Sequence, residues 1–454
     1  MLFNSYEFIF LYLPIILLLY YKLAKFFNCN VAKYFLILAS LIFYSYWDIS
    51  NLPILLFSIC VNYLIGHNLQ KKRNISLLVI GIIFNIAYLM YFKYTNFIIN
   101  NFNYFFNTNF VNHYIELPLG ISFFTFTQTA YLVDVYRGET KEYTKSDFLL
   151  FVTIFPHLIA GPILYHKDII PQFSFFENYK VNYKNLVYGL IWFIIGLFKK
   201  VAIADKLSEY VKVIYSNTAS LSTIDAWVGS LAYTLQLYFD FSGYSEMAIG
   251  LGLMLNFKLP INFNSPYKSI SIIEFWRKWH ITLSSFLKNY LYIPLGGNRN
   301  GNHLRNIMIT MFLGGIWHGA GWTFIFWGIL HGVFICINHL WRKFNIYLPV
   351  FVSWFITFNC VNIAWILFRS ENIYDAVNII LAMFSSDFNC VFFSIKQIIM
   401  VLVCLVVVIF LPNVRTIIEE YVKINYKYLF LMIILFFIAF FNMYKNTEFL
   451  YFQF

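Results

Sequence analysis

The chain has 454 residues, of which 60% are hydrophobic and only 12% are charged, and its mean hydropathy is +0.67. Soluble domains carry about 25% charged residues, so this composition excludes a water-soluble globular protein and predicts a polytopic, all-α integral membrane protein. The net charge of +11 comes from 32 Lys and Arg against 21 Asp and Glu. Because the basic residues lie between hydrophobic segments and form no single face, we expect no nucleic-acid binding.

Apolar segments long enough to enter a membrane recur from one end of the chain to the other. A helix crosses the hydrocarbon core with about 20 apolar residues, and the first segment lacks the basic region and cleavage site of a signal peptide. The predicted spans are 6–21, 33–47, 53–68, 76–93, 146–164, 183–203, 225–254, 305–317, 320–340, 349–368, 394–411 and 428–443. We therefore expect about 11 to 13 transmembrane helices.

Two regions, 110–130 and 255–320, are less regular, because prolines interrupt apolar sequence there. Irregular backbone at membrane depth is tolerated only where it is buried in protein or lines a cavity. These regions therefore predict re-entrant or short helices around an internal tunnel.

Basic residues set the expected orientation. Lys22 and Lys25 follow the first span, Lys71 to Arg73 follow the third, and the intervening loop from Asp48 to Pro53 has no basic residue. Basic loops favour the cytoplasmic side. With 415–427 on that side as well, both termini are expected to be extracytoplasmic.

The scattered cysteines show no metal-ligand or disulfide spacing, and we interpret them as small buried hydrophobic residues. Four histidines, His67, His113, His303 and His339, lie beside loop or basic residues, which is typical of solvated or interfacial side chains. His157 and His166 flank Gly161-Pro162 and are interpreted as structural.

His318 lies in an apolar segment rich in glycine and tryptophan, Leu313-Gly-Gly-Ile-Trp-His-Gly-Ala-Gly-Trp322. Glycines permit close approach to the backbone, and intramembrane ionisable residues are functional candidates. The pattern indicates a slot with one base, although a packing histidine fits it too. His331 lies 13 residues later, outside the i, i+4 spacing of a helical metal pair, so no metal site is predicted.

His280 ends the segment Glu274-Phe-Trp-Arg-Lys-Trp-His280. On the predicted helix, Trp276, His280 and Leu283 share one face, while Arg277 and Lys278 point elsewhere, toward loops expected on the cytoplasmic side. These two cations are suited to an anionic cofactor whose reactive end faces His280. An interfacial belt of aromatic and basic residues is the alternative.

The two histidine segments belong to a set of motifs that extends over most of the chain: Leu117-Pro-Leu-Gly-Ile-Ser-Phe123, Tyr131-Leu-Val-Asp-Val-Tyr-Arg-Gly138, Ile159-Ala-Gly-Pro162, Tyr238-Phe-Asp-Phe-Ser-Gly-Tyr-Ser-Glu246, Trp276-Arg-Lys-Trp-His280, Asn289-Tyr-Leu-Tyr-Ile-Pro-Leu-Gly-Gly-Asn-Arg299 and Gly315-Ile-Trp-His-Gly-Ala320. In content and order, these motifs resemble the membrane-bound O-acyltransferases, in the branch of alginate O-acetylases and peptidoglycan O-acetyltransferases.

The resemblance implies a ring of helices around a tunnel, with His318 as the intramembrane catalytic histidine and His280 as its partner. It also implies acetyl-CoA as the acyl donor, entering from the cytoplasm, for which we expect Arg277, Lys278 and Trp317 to form the binding site. Asp134, Asp240 and Glu246 match family motifs as well. For these three carboxylates we expect structural hydrogen bonding or helix capping.

The sequence ends with Phe449, Tyr451 and Phe454 in the pattern F-x-Y-x-x-F. This pattern is similar to the acyl-relay motif of the same branch, and an aromatic anchor at the membrane interface is the alternative. We therefore divide the chain into a transmembrane domain, 1–443, and an extracytoplasmic tail, 444–454. Tyr451 is expected to carry the acetyl group as an ester.

The resulting prediction is an O-acetyltransferase of the bacterial inner membrane. It would pass acetyl through His318 and Tyr451 to a periplasmic SGNH-hydrolase-like partner, which acetylates a cell-envelope polysaccharide, with peptidoglycan muramic acid favoured as the acceptor. Alginate or exopolysaccharide O-acetylation and teichoic-acid D-alanyl transfer remain alternatives within the enzyme class. A transporter or flippase is the alternative outside it.

Overall fold

A computed structural model describes residues 1–140, 142–159, 161–421 and 426–443. Every regular element in these ranges is a helix, as the all-α prediction requires. Contacts divide the chain into two compact units: residues 1–194 with 244–260, and residues 195–243 with 261–454.

The first unit contains the N-terminal helices. They are α1 (Leu13–Phe26, preceded by a π-helical turn, Phe8–Tyr12), α2 (Cys29–Ser45), α3 (Asn51–Lys71), α4 (Ile75–Phe106), α5 (Ile121–Arg137), α6 (Lys145–Thr153), α7 (Phe155–Leu158) and α8 (His166–Ile169), followed by 3₁₀ turns at Ile170–Ser174 and Phe176–Tyr179. Asparagine side chains cap α2 and α4, since Asn28 accepts from the Val31 amide and Asn74 from the Ser76 amide.

Within this unit, polar pairs join helices that are otherwise apolar. Asn62 on α3 and Asn85 on α4 exchange two hydrogen bonds, 3.0 and 2.7 Å long, between their buried amides. Reciprocal pairing satisfies both side chains in a membrane, where an unpaired amide is unfavourable.

Two long helices, α9 (Tyr183–Phe198) and α11 (Thr223–Met254), contribute residues to both units. Between them lie a π-helical turn, Lys199–Ala204, and α10 (Asp205–Tyr215). Lys200 in the π turn lies buried between two carboxylates, with Nζ 2.7 Å from Asp205 Oδ1 and 2.5 Å from Asp240 Oδ1.

The second unit continues with short helices and then longer ones. They are a 3₁₀ turn (Pro266–Lys268), α12 (Ile272–Lys278), α13 (Ile281–Leu287), a π turn (Lys288–Tyr292), a 3₁₀ turn (Arg299–Gly301), α14 (His303–His318), α15 (Trp322–Lys343), α16 (Val350–Arg369), α17 (Ile373–Met383), α18 (Ile395–Phe410), α19 (Val414–Thr416), a π turn (Ile417–Tyr421) and α20 (Tyr426–Asn442).

In the described ranges, six helices are long and apolar enough to cross a membrane, or seven if Ile395–Phe410 and Val414–Glu420 form one bent span. The protein is therefore a multi-pass membrane protein. This count is lower than the 11 to 13 spans expected, because several predicted spans are short or broken. For example, 146–164 was predicted as one span, but its first helix ends at Thr153. Pro156 lacks the backbone N–H that would continue the helical hydrogen bonds.

The cysteines correct another prediction. All six are free thiols, in agreement with the absence of disulfide spacing, but only Cys404 is buried, and Cys60 and Cys390 are exposed.

Candidate active site

His280 lies at a joint between two helices of the second unit. Helix α12 ends at Lys278, α13 begins at Ile281, and His280 itself has left-handed backbone angles, φ 42° and ψ 55°. The predicted continuous helical face of Trp276, His280 and Leu283 is therefore wrong. Non-glycine residues rarely adopt positive φ, and such conformations persist where surrounding structure enforces them.

Asn262 enforces this joint. Its backbone carbonyl accepts a hydrogen bond from the Ile281 amide at 2.9 Å. Its side-chain Oδ1 accepts from the Thr282 amide at 3.3 Å and the Thr282 hydroxyl at 2.9 Å, and lies 3.1 Å from His280 Nδ1.

These contacts assign the tautomer of His280. A backbone N–H is always a donor, so the Asn262 atom facing Thr282 is the oxygen and His280 Nδ1 must carry the hydrogen. In the neutral ring, Nε2 then carries the lone pair. The ring is 1% exposed and packs edge-on against Phe241, with ring centroids 4.7 Å apart.

His318 is the last residue of α14, and it is 7% exposed. Aromatic rings surround its imidazole: the centroids of Trp317 and Trp327 are each 4.9 Å away, and that of Phe368 is 5.3 Å away. The partial negative charge of a helix C-terminus favours a cation there, so this location is suited to a ring that takes up a proton.

Glycines on α14 and α15 let the two helices approach closely near His318. A Cβ added to Gly328 would lie 2.5 Å from the Met311 carbonyl oxygen and 2.9 Å from Gly315 Cα. The two helices thus touch through their backbones, as helices in membranes do at small residues. The glycine-rich pattern identified in the sequence serves this contact.

The two histidines are thus buried in the same unit, each among aromatic side chains. Trp317, which we expected at the donor site, forms part of the His318 wall and is 6% exposed.

The two expected cofactor cations differ in their surroundings. Lys278 Nζ lies 2.6 Å from Glu274 Oε1. Arg277 is exposed, and it is close enough to His339 to act on it electrostatically, together with His303, Arg342 and Lys343. Arg277, Arg342 and Lys343 therefore form a cationic surface on this unit. Arg277 precedes His280 by three residues in the sequence.

Two of the three carboxylates in the family-like motifs, Asp240 and Asp134, make structural contacts. Asp240 pairs with Lys200. In the first unit, Asp134 Oδ2 lies 3.0 Å from His166 Nε2, and His166 Nδ1 lies 2.9 Å from the Tyr143 hydroxyl. Glu246 is buried, at 7% exposure.

The sequence did not single out Asn262, Phe241 or Phe368. Asn262 precedes His280 by 18 residues, and no local spacing connects them. The predicted acyl-relay residues Phe449, Tyr451 and Phe454 lie outside the described residues, as does the predicted tail, 444–454.

In the part of the chain that the structure describes, every regular element is a helix, several helices are long enough to cross a membrane, and the second unit buries three histidines, His280, His318 and His331. The profile of the MBOAT, membrane-bound O-acyltransferase family, matches residues 3–370. The chain belongs to this family and is an acyltransferase.

Three named relatives show which acyltransferases this chain is similar to. A peptidoglycan O-acetyltransferase of Helicobacter pylori is 45% identical over 419 residues, which cover 84% of this chain and 80% of the relative. A probable alginate O-acetylase, AlgI, of Pseudomonas putida is 43% identical over 404 residues, covering 85% of this chain and 80% of the relative. A teichoic acid D-alanyltransferase of Streptococcus thermophilus is 28% identical over 238 residues, covering 50% of this chain and 57% of the relative.

Proposed function

We propose that this protein is an O-acetyltransferase of the bacterial inner membrane that takes acetyl from cytoplasmic acetyl-CoA and delivers it, through His318 and Tyr451, to a periplasmic SGNH-hydrolase-like partner. The final product is an O-acetylated cell-envelope polysaccharide, with peptidoglycan muramic acid favoured. The observation that carries the proposal is the burial of His280 and His318 together in one unit of a family acyltransferase.

The names of the relatives support acetyl as the transferred group. The Helicobacter pylori and Pseudomonas putida relatives, both above 40% identity, are named as O-acetylating enzymes, whereas the Streptococcus thermophilus D-alanyltransferase is 28% identical and covers half of the chain. The choice between peptidoglycan and alginate rests on a small difference in identity, so alginate or another exopolysaccharide is the second candidate acceptor.

His318 acts as the general base in this scheme. It removes the proton from the Tyr451 phenol while the phenol oxygen attacks the thioester carbonyl carbon. The carbon–sulfur bond then breaks, and the thiolate takes the proton from His318. The products are a tyrosyl acetate and coenzyme A thiol, so protons and the acetyl group balance.

His280 has a different role because of its tautomer. With Nδ1 donating to Asn262, the neutral ring presents a lone pair at Nε2. We propose that it accepts a hydrogen bond from an N–H group of the donor and positions the thioester. A neutral ring in this tautomer cannot donate from Nε2, so His280 does not stabilise a developing oxyanion from that atom.

The cationic surface around Arg277 supplies the electrostatic part of donor binding. Coenzyme A carries phosphates, for which arginine is a bidentate partner and lysine a point charge. Burial acts to raise the pKa of Glu274, but its ion pair with Lys278 and its hydrogen bond from Ile270 lower that pKa overall. Glu274 is thus ionised at neutral pH and partly offsets Lys278, which leaves Arg277 as the stronger phosphate ligand.

Transfer through a tyrosine ester solves a geometric problem. Coenzyme A is too polar to cross the membrane, while the acceptor lies outside, so the acetyl group alone needs to cross. The basic loops that follow the first and third spans support an orientation with both termini extracytoplasmic. This orientation would bring the Tyr451 ester to the partner.

The direct test uses purified protein in detergent with acetyl-CoA. We expect acetate on the wild-type chain by intact mass and release of free thiol, and neither in His318→Ala. A transporter would bind or move its substrate without consuming the thioester. Wild-type levels of thiol release and chain acetylation in His318→Ala would overturn the proposal.

A further inference from the structure

His331 is a buried histidine for which the proposed mechanism has no use. It lies on α15, it is fully buried, and its Nδ1 accepts a hydrogen bond of 3.3 Å from Trp276 Nε1 on α12. Because the indole N–H can only donate, this bond places the imidazole hydrogen of the neutral ring on Nε2.

Trp327 connects this histidine to the candidate base. Its ring centroid is 4.9 Å from that of His331 and 4.9 Å from that of His318, with both imidazoles steeply inclined to the indole plane, at 71° and 83°. Trp327 is 1% exposed. The two imidazoles therefore contact the same buried side chain.

Trp276 contacts both His331 and Trp327. Its ring centroid lies 5.0 Å from that of His331 and 5.8 Å from that of Trp327. Trp276 also belongs to the helix that ends just before His280. One hydrogen bond thus ties the segment leading to His280 to the helix whose Trp327 contacts His318.

We infer that His331 is a positioning residue: by accepting the Trp276 hydrogen bond it fixes the Trp276 and Trp327 indoles, and through Trp327 it sets the orientation of the His318 ring. Packed interiors transmit small displacements, and misplacement of a catalytic group by about 1 Å can lower a rate about a hundredfold. This inference rests on the proposed role of His318.

The test compares His331→Asn with His331→Leu. The two replacements have the same branched shape, but only asparagine keeps an acceptor near the position of Nδ1. We expect kcat to fall about tenfold or more in His331→Leu with little change in KM, and His331→Asn to keep several-fold more activity. Adding Trp276→Phe should remove this difference, since the donor is then absent.

The shape of the pH–rate profile separates positioning from catalysis. If His331 acts only through Trp327, the profile of His331→Asn keeps the wild-type form at a lower amplitude. His157→Asn is the matched control: His157 is also buried, with one hydrogen bond partner, the Pro162 carbonyl. It should lower thermal stability without lowering kcat of the folded enzyme.

Equal kcat in the asparagine and leucine variants, at any level, would overturn the inference. A pH–rate profile of His331→Asn that differs in shape from the wild-type profile would also overturn it. If His331→Leu is not recovered folded, His331→Gln, which also lacks an acceptor at the Nδ1 position, takes its place. His318→Ala is measured alongside, because activity in that variant refutes the proposed function and not the positioning role alone.

Discussion

His280 Nδ1 lies 3.1 Å from Asn262 Oδ1, and this contact holds a histidine with left-handed backbone angles between two short helices. Asn262 therefore determines both the position and the tautomer of the ring. In the proposed mechanism, Asn262 has the role that a carboxylate has in enzymes where it orients a catalytic histidine.

Asn262→Leu should lower acetyl transfer about a hundredfold, because the ring loses its orientation and its fixed tautomer. Thr282→Val is the control: it removes the hydroxyl donor to Asn262 but keeps the backbone donor, so its effect should be a few-fold. Steady-state thiol release measures both variants. Activity of Asn262→Leu equal to that of Thr282→Val would contradict this account.

Tyr451→Phe should abolish acetylation of the extracytoplasmic acceptor, because it keeps the aromatic ring and removes only the hydroxyl that carries the ester. Peptide mass spectrometry should find acetate on Tyr451 of the wild-type chain and none in His318→Ala. Tyr444→Phe, another tyrosine in the predicted tail, serves as the control. An active Tyr451→Phe variant would show that the tail is an aromatic anchor.

Lys200→Met should destabilise the second unit strongly, because it leaves Asp205 and Asp240 buried without their shared cation. Breaking a buried ion pair costs about 3–5 kcal/mol. Lys206→Met breaks a surface pair with Glu209 and should cost about 0–1 kcal/mol. Thermal unfolding in detergent compares the two, and similar melting temperatures would argue against a structural role of the buried triad.

Gly328→Ala should push α14 and α15 apart, since the added methyl meets the Met311 carbonyl and Gly315. Overpacking of this kind costs about 1–3 kcal/mol, and it should also lower kcat because His318 ends α14. In Gly321→Ala the new Cβ would make only an ordinary contact of 3.4 Å with Phe324, so that variant should behave like wild type. A fully active and stable Gly328→Ala protein would contradict the proposed backbone contact.

Hydrophobic runs predicted the long helices well. The predicted span 225–254 corresponds to Thr223–Met254, and 349–368 to Val350–Arg369. The amphipathic helix Ile373–Met383 was not predicted, because its 11 residues are too few to cross the hydrocarbon core.

The candidate site was predicted in part. His280 and His318 were identified from their local sequence, and both are buried in the same unit. The helix break at His280 was not predicted, because the sequence has no proline or glycine at that point. It depends on hydrogen bonds to a residue 18 positions earlier in the sequence, and single-sequence periodicity carries no information about such a partner.

The joint at His280 also provides a probe of the site that needs no substrate. The amides of Ile281 and Asn264 donate across the joint, to the carbonyl oxygens of Asn262 and Lys278, at 2.9 and 3.0 Å. These two protons lie outside any helical ladder, so their hydrogen–deuterium exchange follows the local opening of the joint. Their exchange rates, read residue by residue, would therefore distinguish a variant that has lost a chemical group from one whose His280 joint no longer stays closed.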